Sequence, residues 1–169
     1  PFIGRSTELA ALKVSLADEQ VRLVTILGAG GIGKTRLALE VAARAQGQFV
    51  DGVYFVPLSG LTTSEFLVSA IAHNIGFSFF QQREEPEAQL LDYLTQRLML
   101  LVLDNFEHVL EGATLIGHIL QRATRIKLLV TSRERLNLQG EHIYDVRGLN
   151  FPVSEQGQPH VVDHSSDYS

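Results

Sequence analysis

The 169 residues carry 45% hydrophobic and 20% charged side chains and a net charge of −5, the profile of one globular domain with a full core. That acidic balance gives no general attraction for nucleic-acid phosphates, so direct nucleic-acid binding by this piece is not expected. The lack of cysteine removes disulfides and thiolate metal sites and fits a reducing cytoplasm, and the longest apolar run, 98–103, is far too short to cross a membrane. The chain opens on Pro1, as an excised or processed piece would, so a targeting segment cannot be read from it.

Residues 2–5 read as a short extended lead-in. Ser6 is the expected N-cap of a helix over 6–19, with Glu8 in the first turn and a ragged stripe of Leu9, Leu12, Val14 and Leu16. Residues 21–27 are nearly all aliphatic or β-branched and run into a glycine cluster, which predicts a parallel strand buried on both faces. A helix follows over 34–46 with Leu37, Ala38, Val41, Ala42 and Ala45 on one face. The pattern continues with a strand over 53–58, a helix over 65–75, a loop over 76–83 and a helix over 86–97 that starts on Pro86. Strands over 98–103, 127–131 and 142–146, and a helix over 108–123, complete it. Strands alternating with helices predict an α/β fold, a parallel sheet with helices on both faces. Residues 1–150 form the ordered domain in this reading. The remainder, 151–169, is rich in Ser, Asp, Gln and His and has only Val161 and Val162 as an apolar pair, so it reads as a linker or frayed tail.

Gly28-Ala29-Gly30-Gly31-Ile32-Gly33-Lys34-Thr35 fits G-x-x-x-x-G-K-[ST], the phosphate-binding P-loop. A triphosphate needs several donors converging on a small volume, and glycines let the backbone curl so that its N–H groups point inward. Lys34 reaches the β- and γ-oxygens, the Thr35 hydroxyl ligates magnesium, and the helix behind them aims its positive end at the anion. Gly28, Gly30, Gly31, Ile32, Gly33, Lys34, Thr35 and the adjoining Arg36 are therefore the candidate nucleotide contacts. A glycine-rich turn matching by chance is about a one-in-a-hundred event in such a chain, and this match also follows a predicted buried strand and opens an amphipathic helix.

The strand over 98–103 runs into Asp104, an acid at the C-terminal edge of a parallel sheet, where ligands bind. It reads as a magnesium ligand beside Thr35, against the alternative of an acid that only caps the next helix. Asn105 stands where many hydrolysing relatives of this motif have a glutamate. Its amide orients a water but takes no proton, so fast hydrolysis is not expected. Glu107 reads as a first-turn acid of the following helix. Thr131, Ser132 and Arg133 end a further strand. Arg133 either senses a γ-phosphate, completing a catalytic set with Lys34 and Asp104, or is a solvated loop arginine beside Arg135. The histidines at 73, 108, 118, 142, 160 and 164 have no metal-ligand spacing, and Phe77, Phe79 and Phe80 read as packing under their loop, with an interaction patch as the alternative.

Four segments together resemble the STAND class of signal-transducing P-loop ATPases, which includes NB-ARC domains. They are Phe2-Ile3-Gly4-Arg5 with Glu8, the stretch 27–35, LVLDNFEH over 101–108, and LVTSRE over 129–134. The likeness is greatest to the ATPase modules of large bacterial regulators with winged-helix or LuxR-type domains, and it covers about 1–149. It implies a three-layer α/β/α sandwich with a five-stranded parallel sheet in the order 5-1-4-3-2. It places Phe2, Ile3 and Arg5 at the adenine end of the nucleotide, though Phe2 and Ile3 read from composition alone as edge packing. It makes Arg133 a sensor of the γ-phosphate and Asp104 the magnesium acid. It further implies ATP/ADP and Mg2+ as ligands, helical and winged-helix or sensor domains downstream as partners, nucleotide-dependent self-association, and a slowly hydrolysing regulatory switch. A cycling AAA-like ATPase is the alternative function. The absence of an N-K-x-D base-reading motif favours adenine over guanine.

Overall fold

The three central segments of the sheet, Leu23–Leu27, Leu100–Asp104 and Lys127–Ser132, are buried almost throughout, the setting in which β-branched and aliphatic residues need no polar alternation, while the edge segments Val53–Pro57 and Glu141–Asp145 are only partly buried. The described residues of this computed structural model are 5–81 and 83–146, so the readings made on Phe2, Ile3 and the tail over 151–169 lie outside them. In chain order the elements are α1 (Ser6–Ala17), β1 (Leu23–Leu27), α2 (Lys34–Ala45), β2 (Val53–Pro57), α3 (Leu67–Ile75), α4 (Pro86–Thr95), β3 (Leu100–Asp104), α5 (Ala113–Arg122), β4 (Lys127–Ser132) and β5 (Glu141–Asp145). All strand pairs are parallel and the order is β2-β3-β4-β1-β5, the expected order viewed from the other side.

Alternation along each strand feeds two separate cores. Leu23, Val56, Leu101, Leu103, Leu128 and Val130 meet α3, α4 and α5 on one face. Val24, Ile26, Leu100, Val102 and Leu129 meet α1 and α2 on the other. The result is the expected α/β/α sandwich. The C-terminal ends of β1, β4 and β3 lie side by side, so the loops that follow Leu27, Ser132 and Asp104 meet at one edge. No helix among the described residues is long and apolar enough to cross a membrane.

The structure corrects several local expectations. Arg5, not Ser6, occupies the cap position of α1, and no side chain among the described residues caps that end. Leu9, Leu12 and Leu16 make its buried stripe at helical spacing, whereas Val14 points to solvent. The helix expected over 108–123 divides into a 3-10 segment, Phe106–Gly112, and α5. Val109 at φ −136° breaks the helical path. Gly112 packs so closely on the start of α3 that a Cβ there would meet Leu67 Cδ2 at 2.6 Å. His108 and His118 therefore sit on different elements. Phe77 and Phe79 pack edge-on to each other and against the α3–α5 core, as expected, while Phe80 is exposed.

Two cations close the opposite edge of the sheet. Lys127 Nζ donates to Leu16 O at 2.6 Å and Asp18 O at 2.9 Å, satisfying carbonyls at the end of α1. Arg22 does the same for α5, donating to Ala123 O at 2.6 Å, Ile126 O at 2.8 Å and Leu120 O at 3.3 Å. Burial pushes the Lys127 pKa down, and Asp18 opposes that. Replacing Lys127 with Met keeps the stem and removes both charged bonds. The expected cost is about 2 kcal/mol, the worth of a charged hydrogen bond net of the relieved desolvation. In thermal melts that lowers Tm by about 5 °C. An unchanged Tm would mean that other donors satisfy the end of α1.

Candidate functional site

The loop between β1 and α2 is shaped by backbone that only glycine adopts cheaply. Gly31 has φ +76° and Gly33 φ +96°, with Gly33 at the cap of α2. Space at Gly31 is open, with nothing within 4 Å of where a Cβ would stand. At Gly30 a Cβ would overlap the guanidinium of Arg133, so the bare backbone lets that arginine lie across the loop. The first turn of α2 presents Lys34 and Thr35 on the same side.

Lys34 is buried, and its Nζ donates to Gly28 O and Ala29 O, each at 2.8 Å. Burial lowers its pKa. Glu107 and Asp104 pull it upward, and Arg133 adds to the lowering. Thr35 Oγ1 donates to Asp104 Oδ1 at 2.8 Å, joining the two predicted magnesium ligands across 69 positions of sequence. Asp104 is buried at the last position of β3 and collects two further bonds. Thr131 Oγ1 donates to Oδ1 at 2.6 Å and Asn105 Nδ2 to Oδ2 at 3.2 Å. The donor set, one carboxylate beside one hydroxyl, suits a hard octahedral cation that keeps most of its shell for water and phosphate oxygens. Among the described residues no cluster of three or more His, Cys, Asp or Glu competes for a metal.

The other predicted residues among those described are also placed. Arg133 leaves β4 towards the loop, with Nε 3.7 Å from Glu107 Oε1. It therefore faces the cleft rather than open solvent alone. Arg36 is exposed and lines the same cleft, together with Gly30, Gly31, Gly33, Lys34, Thr35, Asn105, Glu107 and Arg133. Arg5 is buried behind the loop and donates to Ile32 O at 2.5 Å and to Glu8 at 3.2 Å, so it fixes the loop's far side. Ile32 packs on the core under α1 and α2.

Three roles were not legible beforehand. Thr131 is fully buried and also accepts the Asn105 N–H at 2.9 Å, so it holds the acid rather than facing a ligand. Ser132 Oγ bonds the backbone of Glu134 and shapes the turn that carries Arg133. Glu141 on β5 accepts from Thr25 Oγ1 at 2.7 Å and from the Leu136 and Asn137 N–H groups, tying the loop after Arg133 to β1. Their residue types are common at strand ends, and no local spacing marks them.

Comparison with known proteins bears on the whole of this region. Residues 5–142 match the NB-ARC domain family. A Mycobacterium tuberculosis protein provisionally named an HTH-type transcriptional regulator is 35% identical over 137 residues, covering 78% of this chain and 15% of its own length. The regulatory protein AfsR of Streptomyces coelicolor is 31% identical over 150 residues, covering 83% of this chain and 15% of its own. The chain thus spans about 15% of these regulators. Among solved structures, Cdc6p of Pyrobaculum aerophilum superposes with a TM-score of 0.68 at 18% identity, over 86% of this chain and 45% of that one. A STAND protein of Pyrococcus horikoshii with a tetratricopeptide repeat sensor does so at 0.61 and 20% identity, over 88% and 24%. At such identities these structures bear on the fold alone.

Proposed function

The chain belongs to the NB-ARC family, and we propose that within it this domain binds ATP or ADP with Mg2+ and acts as the switch core of a larger signal-transducing regulator. One observation carries the reading, the 2.8 Å approach of Thr35 Oγ1 to Asp104 Oδ1 beside the glycine-cradled Lys34. A hydroxyl and a carboxylate from distant elements meet where a P-loop helix presents its N-terminus, the arrangement a metal-bound phosphate requires. Backbone N–H groups of residues 30–35 and Lys34 bind the β- and γ-phosphates. Arg36 borders that cleft, and the lead-in with Phe2, Ile3 and Arg5 lies towards the adenine.

Switching needs a group that distinguishes ATP from ADP, because a ligand shifts an equilibrium only by its differential affinity for two states. Arg133 is that group in this reading. It lies over Gly30 and contacts a γ-phosphate when one is present. ADP then favours a closed arrangement, ATP permits opening and self-association, and slow hydrolysis resets the cycle. Partner domains elsewhere in a longer chain, helical and winged-helix or sensor modules, report the state. The Streptomyces and mycobacterial relatives, many times longer than this domain, support that placement.

The test is a titration with fluorescent ADP and ATP, with and without magnesium, following phosphate release in the same samples. Tight magnesium-dependent binding with slow turnover is expected. Absence of binding in both this chain and a longer one sinks the reading, and rapid sustained turnover replaces it with the cycling-ATPase alternative.

A further inference from the structure

Asp104 is followed by Asn105, which has no base to offer, and the geometry removes it further from any reaction. One N–H of its side-chain amide is engaged by Asp104 Oδ2 and its backbone N–H by Thr131. Asn105 also takes the left-handed conformation, φ 60° and ψ 51°, which asparagine tolerates better than most residues. The chain therefore turns sharply at the end of β3. Phe106 enters the core, where it is fully buried, and Glu107 comes out beside it along the phosphate cleft with Lys34, Thr35 and Arg133.

Glu107 lies in the first turn of the 3-10 segment, as expected of a first-turn acid, but it is not solvated. Its side chain is 15% exposed, its Oε1 faces Arg133 Nε at 3.7 Å, and its Oε2 is buried with no hydrogen-bond partner among the described residues. A buried carboxylate oxygen without a donor is costly, and such costs persist where function uses the group. Burial lowers the Lys34 pKa, and Glu107 offsets that more than Asp104 does.

We propose that Glu107 is the general base for ATP hydrolysis at this site, two positions beyond the residue where an acid is expected; this rests on the ATP-binding reading above. The Glu107 carboxylate orients a water in the cleft. A lone pair of the water oxygen forms a bond to the γ-phosphorus, and the bond from that phosphorus to the β–γ bridging oxygen breaks, its electron pair leaving on ADP. One water proton passes to the Glu107 carboxylate and the other stays on the new phosphate as its hydroxyl. Glu107 then releases its proton to solvent. Arg133, its Nε 3.7 Å from Oε1, brings its charge beside the transferring group. The site thus combines an intact magnesium acid with a displaced base, a combination suited to slow turnover rather than none.

Single-turnover phosphate release from bound Mg-ATP, read beside equilibrium binding and thermal melting, tests this in the 169-residue chain. Glu107→Gln is expected to slow release by about 100-fold or more, the usual worth of a general base. Its Kd for Mg-ATP should stay within about threefold of the parent. Its Tm should be unchanged or raised, because the buried carboxylate oxygen without a donor is gone. Glu107→Asp should recover part of the rate, and Glu111→Gln, an exposed acid of the same 3-10 segment, should change nothing. Release by Glu107→Gln at the parent rate overturns the proposal. So does a fall in Tm with release lost equally in Glu107→Asp, which marks a structural role. A parent chain that binds Mg-ATP and releases no phosphate over a day overturns it while leaving the binding reading intact. A parent chain that binds no nucleotide removes both.

Discussion

Lys34→Ala is expected to lower the affinity for both ATP and ADP by roughly 100-fold while leaving the fold intact. The lysine's charge-assisted bonds to phosphate oxygens are each worth about 1.5–3 kcal/mol, and a tenfold change in Kd corresponds to about 1.4 kcal/mol. Loss of two such bonds at the low end of that range therefore accounts for the magnitude. Stability should change by less than about 1 kcal/mol, because two opposed effects nearly cancel. The Gly28 and Ala29 carbonyls lose a donor, but the chain no longer holds a buried ammonium whose burial lowers its pKa beside Arg133. Titration with fluorescent nucleotide and a thermal melt of the same protein separate these effects. Wild-type affinity in Lys34→Ala would place the phosphates elsewhere. A large loss of Tm would mean that the lysine's hydrogen bonds to the loop are structural.

The sequence made the sheet legible because its strands are extreme cases. Residues 98–103 are apolar without interruption, and β3 runs through Leu100–Asp104 with both faces covered, so composition and position agreed. The P-loop was legible because its chemistry demands glycines at fixed offsets, and the structure spends them as expected, on left-handed backbone at Gly31 and Gly33 and on the close approach of Arg133 at Gly30. The stretch after Asp104 was not legible. Its path depends on three facts that no local pattern contains: the left-handed Asn105, the burial of Phe106, and the contact of Gly112 with Leu67 from another helix. A helical reading over 108–123 followed naturally from the residues, and tertiary packing overrode its first turns. Glu107 changed meaning for the same reason. On a regular helix it would be a solvated acid complementing the dipole, whereas on the 3-10 turn it lies against Arg133 in the cleft. Arg5 illustrates the converse. Its motif marked it as important, but only the folded chain shows that it grips Ile32 O, so that Arg5 and the phosphate loop are held together.

Asp104 gives the second large effect, and two substitutions there are needed to separate charge from packing. Asp104→Asn keeps an oxygen at the Oδ1 position to accept from Thr35 and Thr131, and so should leave Tm within about 2 °C. It removes the negative charge that makes the site a ligand for a divalent cation. The increase in ATP affinity produced by magnesium should therefore fall by about tenfold or more, while affinity measured in the presence of a chelator stays the same or rises as the repulsion between carboxylate and phosphates disappears. Asp104→Ala should lose the same magnesium response and also cost about 2–3 kcal/mol, because the buried Thr131 hydroxyl and its neighbours are left without an acceptor. If Asp104→Asn keeps the full magnesium response, the cation is held by another group. Glu107 is then the first to examine, because its carboxylate lines this cleft. Magnesium dependence lost in Asp104→Asn but kept in Glu107→Gln assigns the two acids their separate tasks, one holding the metal and the other taking the proton.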